Sequence, residues 1–181
     1  MAKTVSFKRL ILRAVLRQVS PMVIRLVSVA DQMPLHQFHD VFRTILGWNG
    51  DLGYIVRVHG QEINSFRRKT RSKALHEFKL HRQEKFLYVC DTLHMWEWDV
   101  RVLDIQEGVE GDHAPVCVGC RGAAPPEFCG GPTGYRLGWC SDVGRGLPGS
   151  IGTDLGSAPH CAGGGLAEHR SKTARTRTSA T

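Results

Sequence analysis

The sequence contains no hydrophobic run long enough to form a membrane-spanning helix. It also has no good export signal, because Arg13 and Arg17 interrupt the apolar stretch that begins at Leu10. We therefore expect a cytoplasmic protein without membrane contact. In that compartment, disulfides are a less common use of the six cysteines than buried thiols or a metal site.

The motifs of several enzyme classes are absent as well. No GxxxxGK[ST] phosphate loop is built on Gly130, Gly131 and Gly134, and neither an HExxH motif nor a Ser/His/Asp order stands out. Two acids, Asp91 and Glu127, are the candidate catalytic residues, although each lacks an obvious partner in the sequence. The sequence alone therefore leaves open whether the protein is an enzyme.

Negative charge is scarce relative to positive charge, with 17 acidic residues against 24 lysines and arginines and a formal net charge of +7. This balance is compatible with a polyanionic partner but does not identify one. The densest basic cluster of the patterned region is NSFRRKTRSK, residues 64–73. Such a loop can contact the phosphates of nucleic acid, and the alternative is a solvated loop. Its basic residues are Arg67, Arg68, Lys69, Arg71 and Lys73.

Hydrophobic periodicity predicts an α+β domain. Apolar residues at three- and four-residue steps over 34–47, with Pro34 first and Gly47 last, predict the main helix. His36 and His39 are neighbours on that helix and could share a metal, although packing is the commoner use of such a pair. β-branched and alternating runs predict a hairpin within 7–30 and strands at 53–59, 86–90 and 95–105.

The last predicted strand alternates apolar with charged residues, which is typical of an antiparallel sheet with one solvated face. We therefore expect an antiparallel or mixed β-sheet with one main helix packed on it. Beyond Tyr135 the pattern ends, and a Gly-, Ser- and Arg-rich sequence with isolated apolar residues follows. This predicts one α+β domain over residues 1–139 and a disordered tail over 140–181, and it leaves the oligomeric state open.

A candidate zinc site lies at the end of the patterned region. Cys117 and Cys120 have the CxxC spacing of a zinc knuckle, Cys129 is a candidate third ligand, and His113 or Cys140 is a candidate fourth. The second closely spaced pair of a strong zinc signature is missing. The glycines and prolines after the CxxC disfavour the helix start that a redox dithiol requires.

Three segments together resemble the plasmid pRiA4b ORF-3-like family, which includes TnpR-type passenger proteins of insertion sequences. LHQFHDVFRTILGW (35–48) is similar to the family's LHxxHxVIQxxMGW helix, and KFLYVCDTLHMWEW (85–98) is similar to its KFxYxYDFGDxWxH strand pair. CVGCRGAAPPEFCGGPTGY (117–135) resembles its CxxGxRxxPPEDxGGxxGY loop. The resemblance implies one α+β domain with an antiparallel sheet, and it implies no known activity.

Departures from the family pattern affect the candidate sites. Asp91 and Trp96 match the DFGDxWxH motif, but His94 stands at its second acid and the final histidine is absent. Cys120 stands where the family has glycine, so the CxxC belongs to this chain and not to the family pattern. After Tyr135 the family continues with helical sequence, where this chain has its tail. A truncated or frame-shifted gene would produce such an end.

Three functions are compatible with these observations. The first is an accessory or binding protein of a plasmid or mobile element that contacts nucleic acid through residues 67–73 and the tail. The second is a metal-binding protein, with zinc as the metal, or an enzyme of unknown reaction, built around the Cys/Pro-Pro-Glu/Gly-Gly loop. The third is a degenerate, truncated family member without function. The basic composition and the weak zinc pattern favour the first.

Overall fold

The computed structural model describes residues 7–67, 72–109 and 114–138. These residues form a seven-stranded β-sheet and one main helix. The predicted tail lies outside these ranges. The described elements are β1 (Lys8–Leu16), β2 (Ile24–Ala30), α1 (Leu35–Leu46), β3 (Tyr54–Val58), β4 (Gln61–Asn64), a 3₁₀ helix (Leu75–Phe78), β5 (Lys85–Cys90), β6 (Trp96–Glu107), β7 (Val116–Arg121) and α2 (Gly131–Arg136).

The strand order is β4-β3-β5-β6-β1-β2-β7, and each described pair of neighbours is antiparallel. β1 and β2 form the predicted hairpin, in which Leu12 lies opposite Val27. β6, the longest strand with β5 on one side and β1 on the other, occupies the centre. The predicted α+β class and antiparallel sheet are confirmed. None of the helices in the described ranges is long and apolar enough to cross a membrane.

One face of the sheet carries the hydrophobic core, as the alternation in the sequence predicts. Along β6 the side chains of Trp96, Trp98 and Val100 are fully buried, whereas Asp99 between them is exposed. α1 covers this face with its apolar stripe. The buried residues of that stripe are Leu35, Phe38, Phe42 and Leu46.

The end of α1 directs the chain back to the core. Gly47 adopts a left-handed conformation with φ of 73° and donates its N–H to the Thr44 carbonyl at 3.1 Å. Trp48 donates its N–H to the Arg43 carbonyl at 2.9 Å, which completes a Schellman motif. The buried Trp48 ring then packs on Trp96, with ring centroids 5.8 Å apart.

The sequence did not predict four elements: β4, the 3₁₀ helix, β7 and α2. β4 and the 3₁₀ helix have four residues each, too few for a periodic signal. β7 contains the CxxC and Gly119, which are typical of a knuckle, yet it pairs with β2 as an edge strand. α2 begins with glycine and proline, residues that are typical of loops in a sequence.

Candidate functional site

An open cleft of about 560 Å³ lies beside the first half of α1. Four segments line it: α1, the loop before β3, the turn after β4, and the turn between β5 and β6. This volume is within the range of small-molecule pockets. Its ionisable and hydroxyl-bearing side chains, apart from one tyrosine, are His36, His39, Asp40, Asp51, Ser65 and Thr92.

Hydrogen bonds between the lining segments fix the shape of the cleft. Thr92 donates both its hydroxyl and its backbone N–H to the Leu52 carbonyl, at 2.6 and 3.1 Å. Ser65 accepts the Tyr54 N–H through its hydroxyl oxygen at 3.1 Å and donates its own N–H to the Tyr54 carbonyl at 3.0 Å. Thr92 therefore holds the loop before β3, and Ser65 holds the first residue of β3.

His39 is the buried polar group of the cleft, with 3% of its surface exposed. Its Nδ1 lies 2.7 Å from the Tyr88 hydroxyl, and its Nε2 lies 3.4 Å from Asp51 Oδ1. Because an ionised carboxylate only accepts hydrogen bonds, the consistent tautomer carries its proton on Nε2, and Tyr88 then donates to Nδ1. The Cys90 thiol lies near the same nitrogen, with Sγ 3.9 Å from Nδ1.

The surroundings of His39, Asp51 and Cys90 determine which of these side chains are charged. Burial lowers the pKa of His39 against the opposing effect of Asp51. Burial also raises the pKa of Asp51, but the Gly53 N–H and His39 outweigh this, so that this pKa lies below its usual value. Burial raises the pKa of Cys90 to about 12, which removes it as a nucleophile at neutral pH. The cleft therefore presents a neutral imidazole beside a carboxylate.

This arrangement predicts a loss of stability in mild acid. Because the folded-state pKa of His39 lies below its unfolded value of 6.5, the unfolded chain binds more protons as pH falls below 6.5. The free energy of unfolding should therefore fall with decreasing pH in this window, by at most about 1.4 kcal/mol per pH unit from this residue. Denaturant titrations at pH 5 to 7.5 would measure the slope.

His39→Gln should reduce that slope, because it removes the titrating group. Tyr88→Phe is the matched control, since it removes a hydrogen-bonding partner of the imidazole but leaves the imidazole itself. An unchanged slope in His39→Gln would show that other groups cause the acid sensitivity.

Residues 117–135, which we call the strap, close the other side of the turn between β5 and β6. Trp48 Nε1 donates to the Pro125 carbonyl at 3.0 Å, and the Tyr135 ring lies 6.4 Å from the Trp96 ring. Gly131 has φ of 71° and contacts the backbone of His94, so that a Cβ at this position would overlap the His94 carbonyl oxygen. The strap is therefore packed on the domain along its length.

Glu127, a candidate catalytic residue, lies in the strap and binds the loop after α1. Its carboxylate accepts the backbone N–H groups of Asn49 at 3.0 Å and Gly50 at 2.5 Å. These bonds cross 77 and 78 residues of sequence, so Glu127 connects distant parts of the chain. It does not line the cleft.

Asp91, the other candidate, is buried at the start of the turn between β5 and β6. Its Oδ1 accepts the N–H groups of Leu93 and His94 at 2.9 and 3.0 Å, and its Oδ2 lies 2.5 Å from His94 Nδ1. These contacts order the turn whose Thr92 and Leu93 line the cleft. A catalytic role for Asp91 or Glu127 stays a prediction, and the contacts described here are architectural.

The comparison with protein families agrees with this architecture. The family model described as "Plasmid pRiA4b ORF-3-like protein" matches residues 8–138. The chain belongs to this family. No curated protein matches it. The crystal structure of a protein of unknown function from Methanosarcina mazei Go1 is 22% identical, covers 72% of this chain and 79% of its own, and superimposes with a TM-score of 0.63, which shows a shared fold.

The zinc candidates of this pRiA4b ORF-3-like chain are not brought together in the described ranges. Cys117 and Cys120 lie on β7 opposite Val27 and Arg25, in extended backbone, whereas a zinc knuckle needs a turn. Across 7–67, 72–109 and 114–138, no three His, Cys, Asp or Glu side chains are placed to hold a metal ion. The other predicted ligands, His113 and Cys140, lie outside these ranges.

The basic cluster is described at its two ends, and the first of them adjoins the cleft. Phe66 lines the cleft with 73% of its surface exposed, and the exposed Arg67 follows it. At the other end, the Lys73 carbonyl accepts the Leu35 N–H at 2.8 Å, at the start of α1. Lys73 Nζ lies 4.7 Å from the centre of the Phe78 ring. The remaining basic residues of the cluster, Arg68, Lys69 and Arg71, lie outside the described residues.

Sequence reasoning missed most of the cleft. The spacing of His36 and His39 predicts a metal pair or simple packing, and it gives no connection to Asp51 and Tyr88, which contact His39. Asp51 follows the Asn49-Gly50 turn signal, and a polar residue beside a turn has many ordinary uses. No local pattern could have joined these residues.

Proposed function

We propose that this family member is an accessory or binding protein of a plasmid or mobile element and that it binds nucleic acid at the mouth of the cleft. The observation that carries the proposal is the exposed Phe66 ring beside Arg67, at the start of a segment with five cations. Exposed aromatics next to basic residues are the common means of holding single strands, because rings stack on bases while cations contact phosphates.

The charges around the cleft indicate where the phosphates and the uncharged parts of a bound strand would lie. Asp40 and Asp51 line the cleft, and their carboxylates disfavour a phosphate inside it. Residues 67–73 follow Phe66 of the cleft wall and carry an excess of positive charge. Phosphates are therefore expected on the basic segment, and uncharged parts of the strand near the cleft.

The setting proposed here is cytoplasmic, in company with a plasmid or insertion sequence. The similarity of segments 35–48, 85–98 and 117–135 to the TnpR-type passenger proteins supports this setting. The residues show no serine-recombinase nucleophile motif, so the proposed role is binding and not strand exchange.

Binding to a mixed-sequence 12-nucleotide strand should decrease steeply with salt. Removing one cation that neutralises a phosphate should reduce the slope of log K against log salt by about 0.7 for single strands. The quadruple variant R67Q/R68Q/K69Q/R71Q should therefore have a lower affinity and a shallower slope. Fluorescence anisotropy from 25 to 300 mM salt would measure both quantities.

The matched control removes the same charge elsewhere. Arg57, Lys79, Arg82 and Lys85 are exposed and do not line the cleft, and their quadruple Gln variant should keep most of the slope. Equal losses in the two variants would indicate a general charge effect. A chain that fails to bind any strand at 25 mM salt would contradict the proposed function.

A further inference from the structure

We infer that a second cavity, at the end of the sheet where β1 begins, binds a small organic anion that has an apolar body. The cavity has a volume of about 350 Å³. It is lined by the start of β1, the residue after β2, the 3₁₀ helix with the residues that follow it, and the end of β6. It shares no lining residue with the cleft, so the inference does not depend on nucleic-acid binding.

Backbone hydrogen bonds connect the walls of this cavity. The 3₁₀ helix is bonded to the residues after β2, because His76 donates its N–H to the Asp31 carbonyl at 2.7 Å and Leu75 donates to the Met33 carbonyl at 3.1 Å. Asp31 in turn donates its N–H to the Lys8 carbonyl, also at 2.7 Å. The cavity therefore lies between elements that are held together, as is usual for a preformed binding site.

The inner wall of the cavity is apolar. Leu10 and Leu75 lie deepest and are almost fully buried, whereas Leu80 and the half-buried Ile105 retain some exposed surface. Leu10 lies opposite Ile105 in the ladder between β1 and β6. A wall of this kind favours an apolar group over water. The volume is at the lower end of the range for small-molecule pockets, so a short carbon chain or a single ring is the expected body.

The rim of the cavity carries more positive than negative charge. Lys8 and Lys79 line it and are exposed, and within the described ranges no carboxylate forms an ion pair with either ammonium group. Asp31 is the only acid among the described lining residues, and its Oδ1 accepts the Lys8 N–H at 3.0 Å. Because lysine stems are long and flexible, both ammonium groups can approach an anionic head group at the mouth.

The backbone of Lys79 is an independent indication that its side chain has a task. This residue ends the 3₁₀ helix in a left-handed conformation, with φ of 50° and ψ of 43°, and donates its N–H to the His76 carbonyl at 3.0 Å. Glycine adopts this conformation without the steric cost that a Cβ brings. Residues held in such conformations are concentrated at ligand-binding positions. The ammonium group at the cavity rim accounts for a lysine at this position.

The test compares ligands of one shape and different charge. Hexanoate, hexyl phosphate, hexanol, hexylamine and inorganic phosphate are titrated separately into the full-length protein at pH 7, and the methyl resonances of Leu80 and Ile105 are followed by NMR. We expect saturable binding of at least one of the two hexyl anions, about 5-fold tighter than that of the other three compounds. The tighter of the two identifies the head group as carboxylate or phosphate. If neither anion reaches this margin, the inference is overturned.

Single charge removals locate the anion. Lys8→Gln and Lys79→Gln should each weaken the binding of the preferred anion about 2- to 5-fold, the range for an exposed ion pair. Lys85→Gln is the matched control, because Lys85 is exposed and does not line the cavity, and it should leave the affinity unchanged. The same affinity in all three variants would overturn the assignment.

Lys79→Gly separates the ammonium group from the end of the helix. Glycine relieves the left-handed backbone, so the midpoint of thermal unfolding should be unchanged or higher, while anion binding should weaken as much as in Lys79→Gln. A variant that binds the anion as tightly as the unmodified protein would show that Lys79 serves only the end of the helix, and the inference would be wrong.

Discussion

Replacing Phe38 with alanine is expected to lower the free energy of unfolding by about 3–5 kcal/mol. Phe38 is fully buried on α1, and its ring centroid lies 4.9 Å from that of Phe42 and 5.3 Å from that of Tyr88. Removal of the ring leaves a cavity between the helix and the sheet. Such a loss is a large fraction of the roughly 5–15 kcal/mol typical of a whole domain. Urea denaturation followed by circular dichroism would measure it.

Phe66→Ala is the control for this change, because the same ring is removed from an exposed position. Its effect on stability should stay within about 0.5 kcal/mol. If Phe38→Ala lost no more stability than this control, the packing of α1 on the sheet would be contradicted. The placement of His39 in the cleft would then be contradicted as well.

Gly131→Ala should lower the free energy of unfolding by about 2–5 kcal/mol. The left-handed conformation of this residue, with φ of 71°, contributes about 1–2 kcal/mol of this loss in a residue with a Cβ. Overlap with the His94 carbonyl oxygen adds about 1–3 kcal/mol, because backbone atoms on both sides must move. Thermal and denaturant unfolding would measure the total.

Gly60→Ala separates the two contributions. Gly60 has a φ of 72°, nearly the same as Gly131, but a Cβ there would have no atom within 4 Å. We therefore expect only the conformational loss of about 1–2 kcal/mol in this variant. If the two glycines were equally sensitive, the strap would not be packed against the turn that holds His94.

The sequence was most informative where a long periodic pattern coincided with an element. α1 and β6 have twelve residues each, and their buried faces match the predicted apolar stripe and alternation. β7 was missed because its CxxC and Gly119 indicate a loop locally. Its strand conformation depends on pairing with β2, about ninety residues earlier in the chain. Tertiary pairing of this kind overrides local propensity.

The site was less predictable than the fold. His39 was visible on the helix, but its partners come from the loop before β3 and from β5, which the fold brings together. The acids that stood out in the sequence, Asp91 and Glu127, each accept two backbone N–H groups. A residue can therefore match a family motif because it holds the fold together. Residues that face a ligand leave no periodic signature.

The turn between β5 and β6 has two sides with different tasks. Thr92 and Leu93 form part of the cleft wall, while His94, in the same turn, rests on Gly131 of the strap. Asp91 ties both sides together through its bonds to Leu93 and His94. Because one turn serves both regions, we expect a substitution that shifts Gly131 to disturb the cleft wall as well.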